Sequence, residues 1–166
     1  MRSGRRIPGR AGPWPAPPAP AETADADRAL TELYQRHYRP LVRMAALLVP
    51  DLATAEDIVQ DAFVAVYSAR PGHRDRPDAG AAVSLLLRLV VERSRTVPLG
   101  RRPGDSGLMS ALWALPVRQR EVLVLRYVAD LPEKQVAAAA GLSEAAVRHH
   151  VALAFSVLRG ELPSAS

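Results

Sequence analysis

Two adjacent histidines, His149 and His150, are the side chains in this sequence best suited to metal chemistry. A helical zinc site needs ligands at i and i+4, whereas neighbouring helical residues point about 100° apart. The chain has no cysteine and only four histidines, and it shows no Gly-rich phosphate loop and no Ser-His-Asp pattern. The sequence therefore predicts no metal, no cofactor and no catalysis by this chain alone.

Acidic side chains follow one face of a second predicted helix. Asp57 and Asp61 are one turn apart, with Gln60 beside them, and lie nearly opposite an apolar stripe. That stripe consists of Ile58, Val59, Ala62, Phe63 and Val66. Carboxylates turned away from a core are most often a solvated surface, and the pattern alone favours that interpretation.

The segment Leu131 to Val151, LPEKQVAAAAGLSEAAVRHHV, has the pattern of a helix-turn-helix. Gly141 supplies a turn residue that tolerates positive φ, and Ser143 can cap the second helix. The N-terminal part of such a helix enters the DNA major groove. The side chains placed to meet DNA are Glu144, Ala145, Arg148 and His149. An ordinary helical hairpin with an alanine-rich packing face is the alternative.

Helical periodicity and breaker residues divide the 166-residue chain into two all-α modules. The first, residues 28–97, holds a helix from Arg28 to Val49 ended by Pro50, a second helix capped by Asp51 or Thr54, and a third around Val83 to Val91. Residues 98–107, rich in proline and glycine, form a predicted flexible linker. The second module, residues 108–162, ends in the helix-turn-helix, and Pro116 and Pro132 are expected at the first position of two of its helices.

Composition limits where the protein works. Residues 1–27 are rich in proline and arginine and are predicted to be a disordered, solvated tail, although its arginines offer a nucleic-acid contact as the alternative. No apolar stretch approaches the roughly 20 residues that cross a bilayer, and prolines interrupt the place of a signal peptide. The cysteine-free chain, with a net charge of +5, is expected in the cytoplasm, with a polyanion allowed as partner.

Two longer runs resemble a known family. AEDIVQDAFVAVY (Ala55 to Tyr67) and ALPVRQREVLVLRYVADLPEKQVAAAAGLS (Ala114 to Ser143) look like the region 2 and region 4 signatures of extracytoplasmic-function (ECF) sigma factors, of the sigma-70 family. These are bacterial promoter-recognition subunits of RNA polymerase. The likeness covers roughly residues 28–162 and has both blocks in the family's order. It implies a sigma factor that binds core polymerase, through its β′ and β subunits, and directs it to promoter DNA.

The resemblance also implies roles for residues of the first module. Its acidic helix docks on a coiled coil of the polymerase β′ subunit, and Glu56, Asp57, Gln60 and Asp61 stand in that place. The loop after it and the third helix correspond to the part that grips the minus 10 element. The implied phosphate contacts there are Arg74, Arg76, Arg88, Arg93 and Arg95.

The second module corresponds to the part that reads the minus 35 element. Arg118 and Arg120 are implied DNA contacts, whereas Arg126 is expected to pair with Glu121 or Glu133. The residues implied at the recognition helix are Ser143, Glu144, Ala145, Arg148, His149 and His150. An anti-sigma factor is common in the family and is a possible partner.

The recognition helix departs from the family pattern. Ala145 and Ala146 stand where Gly-Thr is usual, and Leu153 stands where arginine is frequent. Residues 110–166 hold six basic and five acidic side chains, a net charge of only +1, so weak DNA binding by this module alone is expected. Two alternatives follow: a helix-turn-helix regulator of the response-regulator output type, which leaves AEDIVQDAF unexplained, or a divergent sigma-like protein that binds polymerase without reading promoters.

Overall fold

The structure, a computed structural model, describes residues 20–68, 79–98 and 107–161. Within those ranges the chain forms helices and no strand, so the all-α prediction is confirmed. The helices are α1 (Pro20–Ala45), α2 (Leu52–Ser68), α3 (Ala79–Ser94), α4 (Leu108–Ala114), α5 (Val117–Leu123), α6 (Glu133–Ala140) and α7 (Glu144–Glu161). A π-helical turn, Val124–Val128, continues α5.

Helix α1 begins eight residues earlier than the expected Arg28, at Pro20. Proline is favoured at the first position of a helix, which suits Pro20 as the start of α1. Residues 20–27 are therefore helical, while residues 1–19 lie outside the described part of the chain. At its other end α1 stops at Ala45, and hydrogen-bonded turns such as Val49 N to Ala45 O (3.0 Å) precede Pro50.

Helix α2 starts at the expected cap. The Asp51 carboxylate accepts hydrogen bonds from the Thr54 backbone N–H and hydroxyl, both at 2.8 Å, which satisfies a donor in the first turn. The predicted apolar stripe is buried in full, and α2 packs between α1 and α3. This packing turns the opposite face of α2 outward.

Pro116 and Pro132 were expected at the first helical position of α5 and α6. Each lies instead at the N-cap, one residue before the helix begins. Both have extended ψ angles near 145°, which the proline φ permits, and α5 and α6 begin after them. The helix predicted to run from Pro116 to about Val128 changes to π geometry at Val124. There Ala129 N–H donates to Val124 O at 3.0 Å.

The helix-turn-helix is formed by α6 and α7. Gly141 adopts the left-handed conformation (φ 67°, ψ 42°), and its N–H and that of Leu142 both donate to Ala137 O, which closes the end of α6. The small Ala137 and Ala140 are buried with Val147 at the crossing of the two helices. Their small side chains let the backbones of α6 and α7 approach closely at this crossing.

The two modules share one apolar core. Buried Val59 and Leu86 of the first module belong to the same cluster as Leu125 and Val136 of the second, and α3 packs against α6. A smaller cluster beneath α4 joins Leu115 to Leu158. Residues 99–106, most of the predicted linker, lie outside the described ranges, and its flexibility stays a prediction.

Candidate docking and nucleic-acid interfaces

The acidic face of α2 is a single exposed surface. Asp57, Gln60 and Asp61 are exposed and Glu56 is half-buried, so the structure brings together the four residues expected there. Gln60 Nε2 donates to the Tyr38 hydroxyl at 3.4 Å. Neither Asp57 nor Asp61 has an ion-pair partner among the described residues, which leaves both carboxylates available to a partner.

An aromatic cluster lies beside this acidic face. The Tyr34 ring stacks on Tyr38 at 4.6 Å between centroids and lies 5.0 Å from the Phe63 ring. Desolvation raises the pKa of Tyr34, and the nearby Tyr38 and the Glu56 carboxylate raise it further. The acidic and aromatic residues are therefore close enough to act on one ligand.

The arginines implied at the minus 10 element fall into different environments. Arg74 and Arg76 lie outside the described ranges. Arg88 is exposed and pairs loosely with Glu92 at 3.8 Å. Arg93 is half-buried, with Nη1 enclosed. Arg95 is held by the other module, as described next.

Glu121 is the centre of an ionic cluster between the modules. Its carboxylate, 2% exposed, accepts two hydrogen bonds from Arg95, from Nε at 2.7 Å and from Nη2 at 2.9 Å. Arg118 Nη1 lies 3.3 Å from the same carboxylate. Both arginines also donate to Ala140 O, at 2.8 and 2.9 Å, where the C-terminal carbonyls of α6 attract positive charge. In this conformation Arg95 and Arg118 serve internal contacts, and their contacts with DNA stay predictions.

Arg120 lies in the interior of the second module. Arg120 is only 1% exposed. Its guanidinium lies 4.6 Å from the centroid of the Trp113 ring, and Nη1 donates a hydrogen bond to Trp113 O at 3.3 Å. Desolvation lowers the pKa of Arg120, and Glu121 partly opposes that shift. The side chain does not reach the surface in this conformation, so a contact with DNA would require it to move.

Arg126 has no carboxylate partner within the described part of the chain. The two carboxylates expected for it are engaged elsewhere, Glu121 by Arg95 and Arg118 and Glu133 by Arg148. Arg126 instead donates to Leu131 O at 3.2 Å and lies over the Tyr127 ring. It therefore stabilises the turn that leads from the π-helical segment to α6.

The recognition helix α7 begins as predicted. The Ser143 hydroxyl accepts a hydrogen bond from the Ala146 N–H at 3.2 Å, and the first turn exposes Glu144 and Ala145. Arg148 is exposed but its guanidinium is paired with Glu133.

The two histidines of α7 differ in environment. His149 is exposed, whereas His150 is half-buried and its Nδ1 is enclosed. Their ring centroids are 6.0 Å apart. Across the described ranges no three metal-ligating side chains cluster together.

Two apolar surfaces were not found from the sequence. A groove of about 380 Å³ lies between α1 and α2, and exposed aromatic side chains, Tyr127 and Phe155, meet edge-to-face at 5.4 Å on the second module. The groove is lined by Leu30, Thr31, Tyr34, Phe63, Val64 and Tyr67. The available signal was that Val64 and Tyr67 are apolar but fall outside the buried stripe of α2.

Comparison with known proteins assigns both modules. Residues 33–82 match the model of sigma-70 region 2, and residues 107–158 match that of sigma-70 region 4. The RNA polymerase sigma-E factor of Streptomyces avermitilis is 33% identical over 146 residues, with 75% of this chain and 79% of that protein covered. The sigma-E factor of Streptomyces coelicolor is 32% identical over 144 residues, covering 74% and 79%.

A solved structure has the same fold. CnrH, in complex with the cytosolic domain of CnrY, superposes with a TM-score of 0.64 and 26% identity, covering 84% of this chain and 91% of CnrH. The region 2 match is not explained by a response-regulator output domain, which accounts only for the helix-turn-helix. None of the described helices has the length and apolarity needed to span a bilayer. With both regions present in order, this chain belongs to the ECF sigma factors of the sigma-70 family, and it directs promoter-specific transcription initiation.

Proposed function

We propose that this sigma factor docks on the β′ subunit of core RNA polymerase through Glu56, Asp57, Gln60 and Asp61. The observation that carries the proposal is that Asp57 and Asp61 are exposed one turn apart, with no ion-pair partner among the described residues. A basic partner surface can pair with these carboxylates without first breaking an ion pair inside this chain. On the second module, the exposed Tyr127 and Phe155 form the surface that we propose for binding the β subunit.

The first module, residues 28–97, contacts the minus 10 element, and the second, residues 108–162, reads the minus 35 element through α7. Arg148 is the only permanently charged cation in α7 before Arg159. Its partner Glu133 is itself about one-third exposed, so a DNA phosphate or guanine can replace that carboxylate. His149 lies on the same exposed part of α7 and extends the contact.

The linker, residues 98–107, lets the modules part on the promoter. Elements named for positions 10 and 35 are about 25 base pairs apart, which is about 85 Å of B-DNA at 3.4 Å per base pair. In this structure α3 and α6 are in contact. Ten extended residues span up to about 35 Å, which together with the widths of the modules covers that distance. The contact between Arg95 and Glu121 must then break on promoter DNA.

The protein acts in the cytoplasm with polymerase and is held inactive by an anti-sigma factor. The support for such a partner is that CnrH is found in complex with the cytosolic domain of CnrY.

Charge reversal on α2 tests polymerase docking. Asp57→Lys with Asp61→Lys should weaken core polymerase binding by a few kcal/mol, since each close charge pair contributes on the order of 1 kcal/mol or more and reversal adds repulsion. The matched control is Glu32→Lys with Glu92→Lys, which makes the same change in net charge at exposed positions of α1 and α3. Affinity is measured by titration of labelled protein, with circular dichroism to confirm folding. Equal affinities of both double variants would refute the docking assignment.

Run-off transcription separates promoter reading from polymerase binding. Wild-type protein with core polymerase and genomic DNA should produce transcripts from discrete promoters. Stable polymerase binding without promoter-specific transcripts would instead favour the divergent, sequestering alternative.

A further inference from the structure

The groove between α1 and α2 is an open apolar surface next to charged residues. Three of its lining side chains are exposed although they are large and apolar: Tyr34 (40%), Val64 (62%) and Tyr67 (50%). Grooves lined by aromatic rings are the surfaces that bind proline-rich segments in polyproline II conformation. The first requirement for an occupant is therefore a proline-rich, apolar sequence.

The acidic face of α2 continues this groove along the same side of the helix. Glu56, Gln60, Phe63 and Tyr67 are spaced by four, three and four residues, so they form one stripe. Asp57, Asp61 and Val64 form the adjacent stripe. The surface is thus apolar toward the end of α2 and acidic toward its start, and the occupant must be apolar at one end and basic at the other.

Helices α1 and α2 run antiparallel, which orients this surface relative to the N-terminus. Tyr34 contacts Phe63, and Tyr38, one turn later, contacts Gln60, one turn earlier. The apolar part of the groove therefore faces the start of α1, and the acidic part lies farther from it. The start of α1 is Pro20, where the N-terminal segment joins.

The first nineteen residues have the required composition in the required order. Next to α1 stands PWPAPPAP (Pro13 to Pro20), and before it stand Arg2, Arg5, Arg6 and Arg10, with no acidic residue anywhere in the segment. A segment folded back from Pro20 would meet the apolar part of the surface first and the acidic part next. The sequence order and the surface order agree.

The lengths agree as well. At 1.5 Å per helical residue, Tyr34 lies about 21 Å and Tyr38 about 27 Å along α1 from Pro20. If the preceding segment adopted a polyproline II conformation, at 3.1 Å per residue, Trp14 would lie about 19 Å and Arg10 about 31 Å from Pro20. Trp14 would then reach the level of the aromatic rings, and Arg10 the level of Asp57, one turn beyond Gln60.

We propose that residues 1–19 fold back along α1 and dock in the groove between α1 and α2, with the proline-rich segment on Tyr34, Val64 and Tyr67 and Arg10 on Asp57 and Asp61. Because the segment is joined to α1, docking is intramolecular and occurs at a high effective concentration. The docked segment covers the acidic face. Resting on the polymerase docking proposed above, this makes the segment a built-in competitor that must leave before polymerase binds.

The fluorescence of Trp14 tests the docking without polymerase. The chain has two tryptophans, and Trp113→Phe leaves Trp14 as the reporter while keeping a ring beside Arg120. Full-length protein should show blue-shifted emission and acrylamide quenching several-fold weaker than a peptide of residues 1–19. Val64→Arg in the groove should restore peptide-like quenching, whereas Val157→Arg, exposed on α7, should not. If Trp113→Phe disturbs folding, fluorotryptophan labelling of the unaltered chain reports Trp14 by NMR.

Each outcome of this experiment decides the proposal. Peptide-like quenching of Trp14 in the full chain, or protection unaffected by Val64→Arg, overturns it. Protection that disappears on dilution shows that the segment docks on a second copy, which also overturns the intramolecular assignment. Protection that is independent of concentration, lost with Val64→Arg and weakened by salt supports it.

Removal of residues 1–19 tests the consequence for polymerase. A segment docked nine-tenths of the time would lower the apparent affinity for core polymerase about tenfold, and deletion should recover that factor. Deletion of residues 1–19 from the Asp57→Lys, Asp61→Lys variant should leave its affinity for core polymerase unchanged. If Trp14 is protected but deletion of residues 1–19 does not raise the affinity for core polymerase, the segment docks without competing with polymerase. If the Asp57→Lys, Asp61→Lys variant binds polymerase as tightly as wild type, that result contradicts the proposed function alone.

Discussion

Arg95, one residue beyond the end of α3, donates two hydrogen bonds to the carboxylate of Glu121 in α5, at 2.7 and 2.9 Å. The two residues are 26 positions apart and belong to different modules. Glu121 raises the pKa of Arg95, which keeps the guanidinium charged. An arginine that was expected to contact promoter DNA is thus bound by the other module. The Arg95–Glu121 hydrogen bonds can form only while the two modules are in contact.

Removal of the Glu121 charge should destabilise the protein. Glu121→Gln leaves Arg95 and Arg118 without their carboxylate, and the loss of charged hydrogen bonds at a 2% exposed site should lower the free energy of unfolding by about 1.5–3 kcal/mol. Urea unfolding followed by circular dichroism measures it. The control is Glu92→Gln, whose pair with Arg88 is exposed and long, and it should change stability by less than about 0.5 kcal/mol. Equal effects of the two substitutions would contradict a structural role for the Glu121 cluster.

The turn of the helix-turn-helix should require glycine for conformational reasons alone. Gly141 has φ 67°, yet a Cβ added there would meet no atom within 4 Å. Gly141→Ala should therefore cost about 1–2 kcal/mol through left-handed strain. Gly160→Ala, in the last turns of α7 with equally open space, should be neutral or stabilise by up to about 1 kcal/mol. Thermal melts of both variants test the contrast, which would fail if both shifted stability in the same direction.

Arg148 should carry minus 35 recognition. Arg148→Ala should weaken minus 35 dependent transcription by about 1–3 kcal/mol if it contacts a guanine edge, while Arg159→Ala, at the far end of α7, should have a smaller effect. Glu133→Gln removes the competing carboxylate and should leave transcription equal or raise it. Transcription is measured at fixed salt, since phosphate contacts depend on ionic strength. Intact transcription by Arg148→Ala would show that α7 does not read DNA through this residue.

His37 should contribute to instability in mild acid. Desolvation, and then Arg36, lower the pKa of this half-buried histidine in α1. The unfolded chain therefore binds a proton near pH 6.5 that the folded chain binds only at lower pH, so the free energy of unfolding falls as the pH drops through 6.5. His37→Gln should flatten that slope, and Arg36→Gln should flatten it partly. Denaturation midpoints between pH 7.5 and 5.5 measure it, and an unchanged slope for His37→Gln would exclude the contribution.

Local sequence signals predicted most of the elements because their causes are local. The stripe of Ile58, Val59, Ala62, Phe63 and Val66 is buried as its spacing indicated, and Asp51 and Ser143 cap α2 and α7. Gly141 has the positive φ that the turn demanded. Exposure of Asp57 and Asp61 followed from the same helical geometry.

Boundaries were less well predicted where a proline permits more than one arrangement. Pro20 starts α1 although its surroundings indicated a tail, and Pro116 and Pro132 are N-caps instead of first helical residues. The π-helical turn at Val124–Val128 has no local sequence signal. Its end is closed by the hydrogen bond that the Leu131 N–H donates to Leu125 O at 3.2 Å.

Periodicity and capping act over a few residues, so the sequence was enough to predict the helices, their buried faces and the helix-turn-helix, and its resemblance was enough to predict the family. Which arginines remain available for DNA could be read only from the packed fold. Nothing in the sequence distinguishes the roles of Arg95, Arg118 and Arg120. In the structure Arg95 binds Glu121 of the other module, Arg118 donates to Ala140 O at the end of α6, and Arg120 is buried against Trp113. A charged side chain takes whatever carboxylate, carbonyl or ring the fold brings within hydrogen-bonding or stacking distance, and those neighbours come from residues that are distant in the chain.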